Sequence, residues 1–171
     1  MKTNGFTLIE LLIVILIFTI LAASAIPSFK QVLQNTHTQT AKSELLNAID
    51  QTRAKSVFSG SRSVLKAKGE WHDGWQVFLD QNDDGIASSD EPILIDQGPI
   101  DGVTIKGNES VRNLISFIST GEGRQPGAAN RGAFITGTLT ICPLISGKGY
   151  QLVLSRGGRT RVQDTEPGTC P

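Results

Sequence analysis

Three observations predict an α+β fold, with one long N-terminal helix packed on an antiparallel β-sheet domain. The first is an apolar run from Phe6 to Ile26, interrupted only by Thr7, Glu10, Thr19 and Ser24. The second is a helical stripe that prolongs this run to about Val57. The third is that the chain beyond Gly60 reads as short strands parted by turns bearing glycine and proline. One long helix followed by a series of strands is α+β layering. Hydrophobic residues make up 39% of the 171 positions, enough for a buried core.

The elements follow in chain order. At about 1.5 Å per residue the run Phe6–Ile26 is roughly 30 Å long as a helix, which suffices to cross a bilayer. Lys2 precedes it, so the short polar segment Met1–Gly5 is expected to stay on the cytoplasmic side and the body to cross. Pro27 removes one helical hydrogen bond and is expected to kink the helix without ending it. Phe29, Val32, Leu33, Thr36, Thr40, Ala41, Leu45, Ala48, Ile49 and Thr52 recur at steps of three and four, the stripe of an amphipathic helix. Strands are expected at 63–66, 75–79, 93–95, 103–105, 114–118, 134–141, 150–156 and 159–163, from their β-branched and aromatic content. The stretch 119–132, rich in glycine and holding Pro126, is expected to be a loop.

Glu10 is the residue of the apolar run that demands a reason. A carboxylate at mid-bilayer costs about 2.5–3.5 kcal/mol on insertion scales. A secretory signal peptide, with Ala23-Ser24-Ala25 as its cleavage site, competes for this segment, but the run is long for one and begins at residue 6. The string Gly5-Phe6-Thr7-Leu8-Ile9-Glu10 resembles the prepilin peptidase site of type IV pilins and pseudopilins. The resemblance implies cleavage between Gly5 and Phe6, N-methylation of Phe6, and an assembly role for Glu10. In assembly the Glu10 carboxylate would neutralise the new amine of a neighbouring subunit inside an apolar bundle.

In the body, Gly74-Trp75-Gln76-Val77-Phe78-Leu79-Asp80, then Asn82, Asp84-Gly85 and Glu91, resemble the GspH/FimT family of minor pilins, most of all its FimT branch. The resemblance implies the pilin fold, with the first half of the helix spanning the membrane. It implies a leader at 1–5, a transmembrane and assembly helix at 6–29, an amphipathic continuation at 30–58 and a β-rich periplasmic domain at 59–171. The partners it implies are prepilin peptidase, other major and minor pilins, and the inner membrane. The chain would sit in that membrane before assembly, and in a pilus at the cell surface or a periplasmic filament afterwards.

Charge is segregated although the formal net charge is zero. Residues 70–101 hold nine acids and no Lys or Arg, while 124–163 hold six bases and no acid. The two cysteines, Cys142 and Cys170, can pair once the body is exported, and would then tie down the C-terminal tail. Two free thiols are the alternative. No catalytic set emerges: His37 and His72 have no second histidine or cysteine at metal or nucleophile–base spacing, so an enzyme is not expected.

Asp80 to Glu91 fits the calcium-loop template, with Asp80, Asn82, Asp84, the Ile86 carbonyl and Glu91 as candidate oxygens and Gly85 at the turn. A hairpin turn needs the same Asx and glycine content. No other cofactor is expected.

Leu154 to Val162 reads as a hairpin with a two-residue Gly157-Gly158 turn. That turn would put Arg156 opposite Arg159 and Leu154 opposite Arg161, with Arg156, Arg159 and Arg161 on one face and Lys148 extending it. Arginine forks suit phosphate. Gly158-Arg159-Thr160-Arg161 also resembles the GRxR string of FimT-type minor pilins implicated in DNA capture during natural transformation. The implied partner is double-stranded DNA, bound without sequence preference. A purely structural subunit that primes or caps a pilus or type II secretion filament is the alternative.

Overall fold

The structure, a computed structural model, describes residues 7–127, 132–145, 147–166 and 168–170, with the side chains of 22–28 left out. It divides into two compact units, residues 1–33 and 34–171. The leader 1–5 and Phe6 lie outside the described residues.

Helix α1 runs from Leu8 to Ser59 and stops ahead of Gly60, whose φ of 68° suits a residue without Cβ. It passes residue 27 without a break. Its start is capped from within. Thr7 Oγ1 accepts the Glu10 amide at 3.3 Å, while the Glu10 carboxylate accepts the Thr7 amide at 2.9 Å and its hydroxyl at 2.8 Å. This is a reciprocal capping box. In the first unit the large apolar side chains from Leu8 to Leu21 are exposed. Among the described residues no helix is both long and apolar enough to cross a membrane. The side chains described within the expected span cover residues 8–21, about 20 Å of helix.

In the second unit α1 buries Gln34, Thr38, Ala41, Leu45, Ala48, Ile49, Thr52 and Ser56. This face departs from the predicted stripe at its beginning. Phe29, Val32, Leu33, Thr36 and Thr40 are exposed. At about 100° per residue Thr36 lies about 140° around the helix from Ala41, and Val32 about 180°, while Gln34 lies within about 20°. The polar members of the face are satisfied locally. Thr38 Oγ1 donates to the Gln34 carbonyl at 2.9 Å and Thr52 Oγ1 to the Ala48 carbonyl at 2.6 Å. The Gln34 amide donates to the Gly102 carbonyl.

Eight strands follow: β1 (Arg62–Ala67), β2 (Trp75–Asp80), β3 (Ile93–Gln97), β4 (Val103–Gly107), β5 (Leu114–Phe117), β6 (Gly137–Pro143), β7 (Tyr150–Leu154) and β8 (Thr160–Asp164). All the expected strands are present. They form two antiparallel four-stranded sheets, ordered β3-β2-β1-β5 and β4-β6-β7-β8. After β3 the chain meets Gly98-Pro99, and a proline cannot donate to a ladder. It then turns at Gly102, φ 80°, and opens the second sheet with β4. Residues 134–136, assigned to a strand from sequence, lie ahead of β6 and contribute one bridge, Arg124 to Phe134.

Ala41, Leu45 and Ile49 of α1 pack in one core with Leu65, Val77, Ile115, Ile105, Leu139 and Leu152 from the two sheets. Trp71 is fully buried there, and its indole N–H donates to the Val111 carbonyl at 2.9 Å. Trp71→Phe is therefore expected to strand that carbonyl and leave a void, lowering the unfolding free energy by about 2 kcal/mol in a denaturant titration.

Candidate nucleic-acid interface

The β7–β8 hairpin is built by burial on one face and charge on the other. Leu152 and Leu154 face the core. Val153 pairs with Arg161 and Leu154 with Thr160. The turn is Arg156-Gly157-Gly158, closed by Ser155 N–H to the Arg159 carbonyl and Gly158 N–H to the Ser155 carbonyl, each 3.0 Å. Gly158 takes φ 72°, the left-handed position that ends a three-residue hairpin turn.

This corrects the two-residue turn expected from sequence and moves the register by one. Directly opposed residues share a face, so Leu154 opposite Arg161 would have carried the guanidinium into the core. As built, Arg159 and Arg161 share the outer face with Val153 and Ser155 and line a shallow cavity of about 260 Å³. Arg156 does not join them on a strand face. It sits in the turn with its guanidinium 5.4 Å from the centre of the Phe134 ring. Arg124 lies over the same ring at 3.6 Å and is paired with Glu122 at 3.1 Å.

Lys148 does not extend the patch either. Its ammonium pairs with Asp164 at 3.0 Å, and that hydrogen bond raises its pKa. The acids that neutralise Arg124 and Lys148 thus sit just outside the acid-free stretch. Arg131 is outside the described residues. Among the described residues, Arg156, Arg159 and Arg161 have no carboxylate at ion-pair distance. Arg161 also donates to the Gln163 side chain at 3.3 Å.

Sequence reasoning missed a fourth guanidinium at this turn, that of Arg53 in α1. It donates to the carbonyls of Gly121 at 3.0 Å and Gly157 at 3.3 Å. Backbone acceptors so far along the chain leave no side-chain pattern to find.

The acidic loop turns its oxygens on itself. Asp80 accepts from the amides of Asp84 (3.1 Å) and Gly85 (3.0 Å), and Asp84 from Ile86 N–H (2.6 Å) and the Asn82 side chain (2.9 Å). Glu91 accepts from Gln81 N–H (2.8 Å) and Ser88 N–H (3.1 Å). The buried guanidinium of Arg62 lies 2.6 Å from Asp83 and 3.8 Å from Asp80. Burial pushes the Asp80 carboxyl above its ordinary range against the pull of the Gly85 and Asp84 amides. Among the described residues no three His, Cys, Asp or Glu side chains are gathered to hold a metal. The candidate calcium ligands Asp80, Asn82, Asp84 and Glu91 all accept hydrogen bonds within the turn.

Cys142 and Cys170 form a disulfide with Cα atoms 5.4 Å apart. It closes a loop that contains β7 and β8 and so holds the base of the arginine hairpin. His72 Nδ1 accepts the Ile105 amide at 3.4 Å.

A long N-terminal helix, capped by Thr7 and Glu10 at the head of an apolar run and carried into a body of antiparallel sheets, defines a pilin-like subunit. The chain belongs to the GspH family: the family profile, described as type II transport protein GspH, matches residues 41–158. The prokaryotic N-terminal methylation motif matches residues 1–26. Members of such families are filament subunits rather than enzymes.

Among solved structures the chain is similar to the type IV minor pilin FimU of Pseudomonas aeruginosa PAO1 in two crystal forms. One matches with 18% identity over 75% of this chain and 89% of that one, TM-score 0.56. The other matches with 18% identity over 73% and 91%, TM-score 0.54. It is also similar to the minor pseudopilin EpsH of the Vibrio cholerae type 2 secretion system, with 13% identity over 77% and 98%, TM-score 0.54. At such identities the likeness is one of fold. No curated protein matches the chain in sequence.

Proposed function

We propose that this chain is a minor pilin that binds DNA through its C-terminal arginine hairpin, without sequence preference, and serves DNA uptake. The observation that carries the reading is the pair Arg159 and Arg161, side by side on an exposed face with no carboxylate among the described residues to neutralise them. Arg156 at the turn adds a third positive charge. Guanidinium forks match phosphate oxygens two at a time. The hairpin is no free ribbon, since β7 is paired to β6 as well as to β8 and its inner face is buried, which favours backbone contact over base readout.

Around this site the chain works as a membrane-borne subunit. Prepilin peptidase cuts between Gly5 and Phe6, residues 6–29 hold the subunit in the inner membrane, and the body of 59–171 occupies the periplasm. Glu10 then engages the amine of a neighbouring pilin as the subunit enters a filament.

The test is a salt titration of duplex binding by fluorescence anisotropy. Each phosphate contact contributes about 0.9 to the slope of log affinity against log salt. Two strand arginines and a partial contribution from Arg156 give an expected slope between about −2 and −3, with dissociation constants of about micromolar or weaker at physiological salt. Arg159→Gln with Arg161→Gln is expected to weaken binding to every duplex alike and to flatten the slope by about 2. Parent-like binding by the double variant would refute the reading. The subunit would then be read as a structural pilin or secretion pseudopilin that primes a filament, which the GspH family match favours.

A further inference from the structure

We propose that Arg53 of α1 is the positioning residue of the arginine hairpin. The inference rests on the nucleic-acid reading of that hairpin. Arg53 lies one turn beyond Ile49 and next to buried Thr52, so its side chain leaves the edge of the helix face that meets the sheets. Its Nε donates to the Gly121 carbonyl at 3.0 Å, in the connection between β5 and β6, and its Nη2 to the Gly157 carbonyl at 3.3 Å, in the β7–β8 turn. One fork thus joins the helix to two turns that are remote from it and from each other in the chain.

Both turns are shaped to admit it. Gly121 has φ 79° and Gly158 φ 72°, and a Cβ built on either would come within about 3.0–3.2 Å of Arg53 Nε. On Gly158 that Cβ would also collide with the Gly121 carbonyl and press on the Phe117 ring. Gly158 is buried although it belongs to a surface hairpin. The turn is therefore seated against the body at its tip, and the fork that seats it accepts no substitute of simpler geometry. A lysine at residue 53 has the charge but not two divergent N–H groups in one plane.

The consequence for the site is one of register. Gly158 N–H and Ser155 N–H close the turn from which Arg159 departs, and Arg161 follows two residues on. Holding the Gly157 carbonyl fixes the start of β8, an edge strand whose residues 161–164 are exposed. Without that hold the two arginines lose a common orientation before any phosphate arrives, and the cost of ordering them falls on binding.

The test uses the full chain in detergent micelles, with Arg53→Lys and Arg53→Met. Amide hydrogen exchange at Ser155 and Gly158 is expected to accelerate on the order of tenfold in both variants, while β6 amides keep their protection. Duplex affinity is expected to fall about fivefold in both, and that loss to vanish in the Arg159→Gln/Arg161→Gln background. Unchanged exchange in both variants overturns the proposal whether or not DNA binds. Parent-like affinity in Arg53→Lys, beside a salt slope about 0.9 shallower in Arg53→Met, also overturns it and makes Arg53 a direct phosphate contact. If exchange accelerates but the parent binds no duplex, the positioning role stands and the nucleic-acid reading of the hairpin fails.

Discussion

Replacing Gly5 with valine is expected to abolish maturation, leaving a full-length chain that enters no filament. A peptidase must bring its catalytic groups onto the backbone at the scissile bond, and a glycine there presents no side chain against that approach. Cleavage would create a positive amine at Phe6, and Glu10 would then be the fifth residue of the mature chain. Glu10→Ala is expected to leave cleavage intact while filament incorporation collapses. An amine inside an apolar bundle without its counter-charge faces a cost of several kcal/mol. Mass spectrometry of the mature protein is expected to find N-methyl-Phe6 as its first residue. A mature chain beginning after Ala25 would overturn the pilin-type processing altogether.

Removing the disulfide is expected to be the largest single loss of stability in the body. Cys142 and Cys170 are 28 residues apart, and a loop of that size stabilises by roughly 3–4 kcal/mol in the chain-entropy model. For a protein of this length that corresponds to a drop in melting temperature of about 10 °C. Cys142→Ser with Cys170→Ser should therefore unfold measurably earlier in a thermal scan. The tail 165–170 and strand β8 are expected to lose amide protection before the rest of the second sheet, because the bridge closes the loop that contains them. Thiol labelling of the denatured, non-reduced parent should find no free cysteine; two labelled thiols would refute the bridge in the cell-derived protein.

How much of this was legible in the sequence differs by element, for physical reasons. Strand positions were readable because each is a short β-branched or aromatic run bounded by glycine, proline or Asx residues. The division of the strands between two sheets was not. Gly98-Pro99 announces a break but carries no information about which edge the next strand will join. The helix face was misplaced at its beginning because Val32 and Leu33 are apolar and Gln34 and Thr38 are not. The geometry of a continuous helix then chose Gln34 and Thr38 in phase with Ala41 and Leu45. The hairpin register was decidable in principle, since Leu154 has to face the core and cannot share its face with Arg161. The brace from Arg53 was invisible, because both its acceptors are main-chain carbonyls.

The capping box at the head of α1 has a bearing on how a precursor and its product compare. The pattern Thr7-Leu8-Ile9-Glu10 satisfies the N–H groups of Thr7 and Glu10 with a carboxylate and a hydroxyl that both lie downstream of residue 6. Both groups would remain after the proposed cut between Gly5 and Phe6. In the proposed processing the described cap of Thr7 and Glu10 would serve the product as it serves the full chain. The proposed cut would take away the leader with Lys2 and place a new amine at Phe6, beside the capped helix end. On the proposed assembly role, the Glu10 oxygen that caps the described helix end is the one a neighbour would borrow. Recruitment into a filament would then be an exchange of partners at a single carboxylate, with the Thr7 hydroxyl still accepting the Glu10 amide.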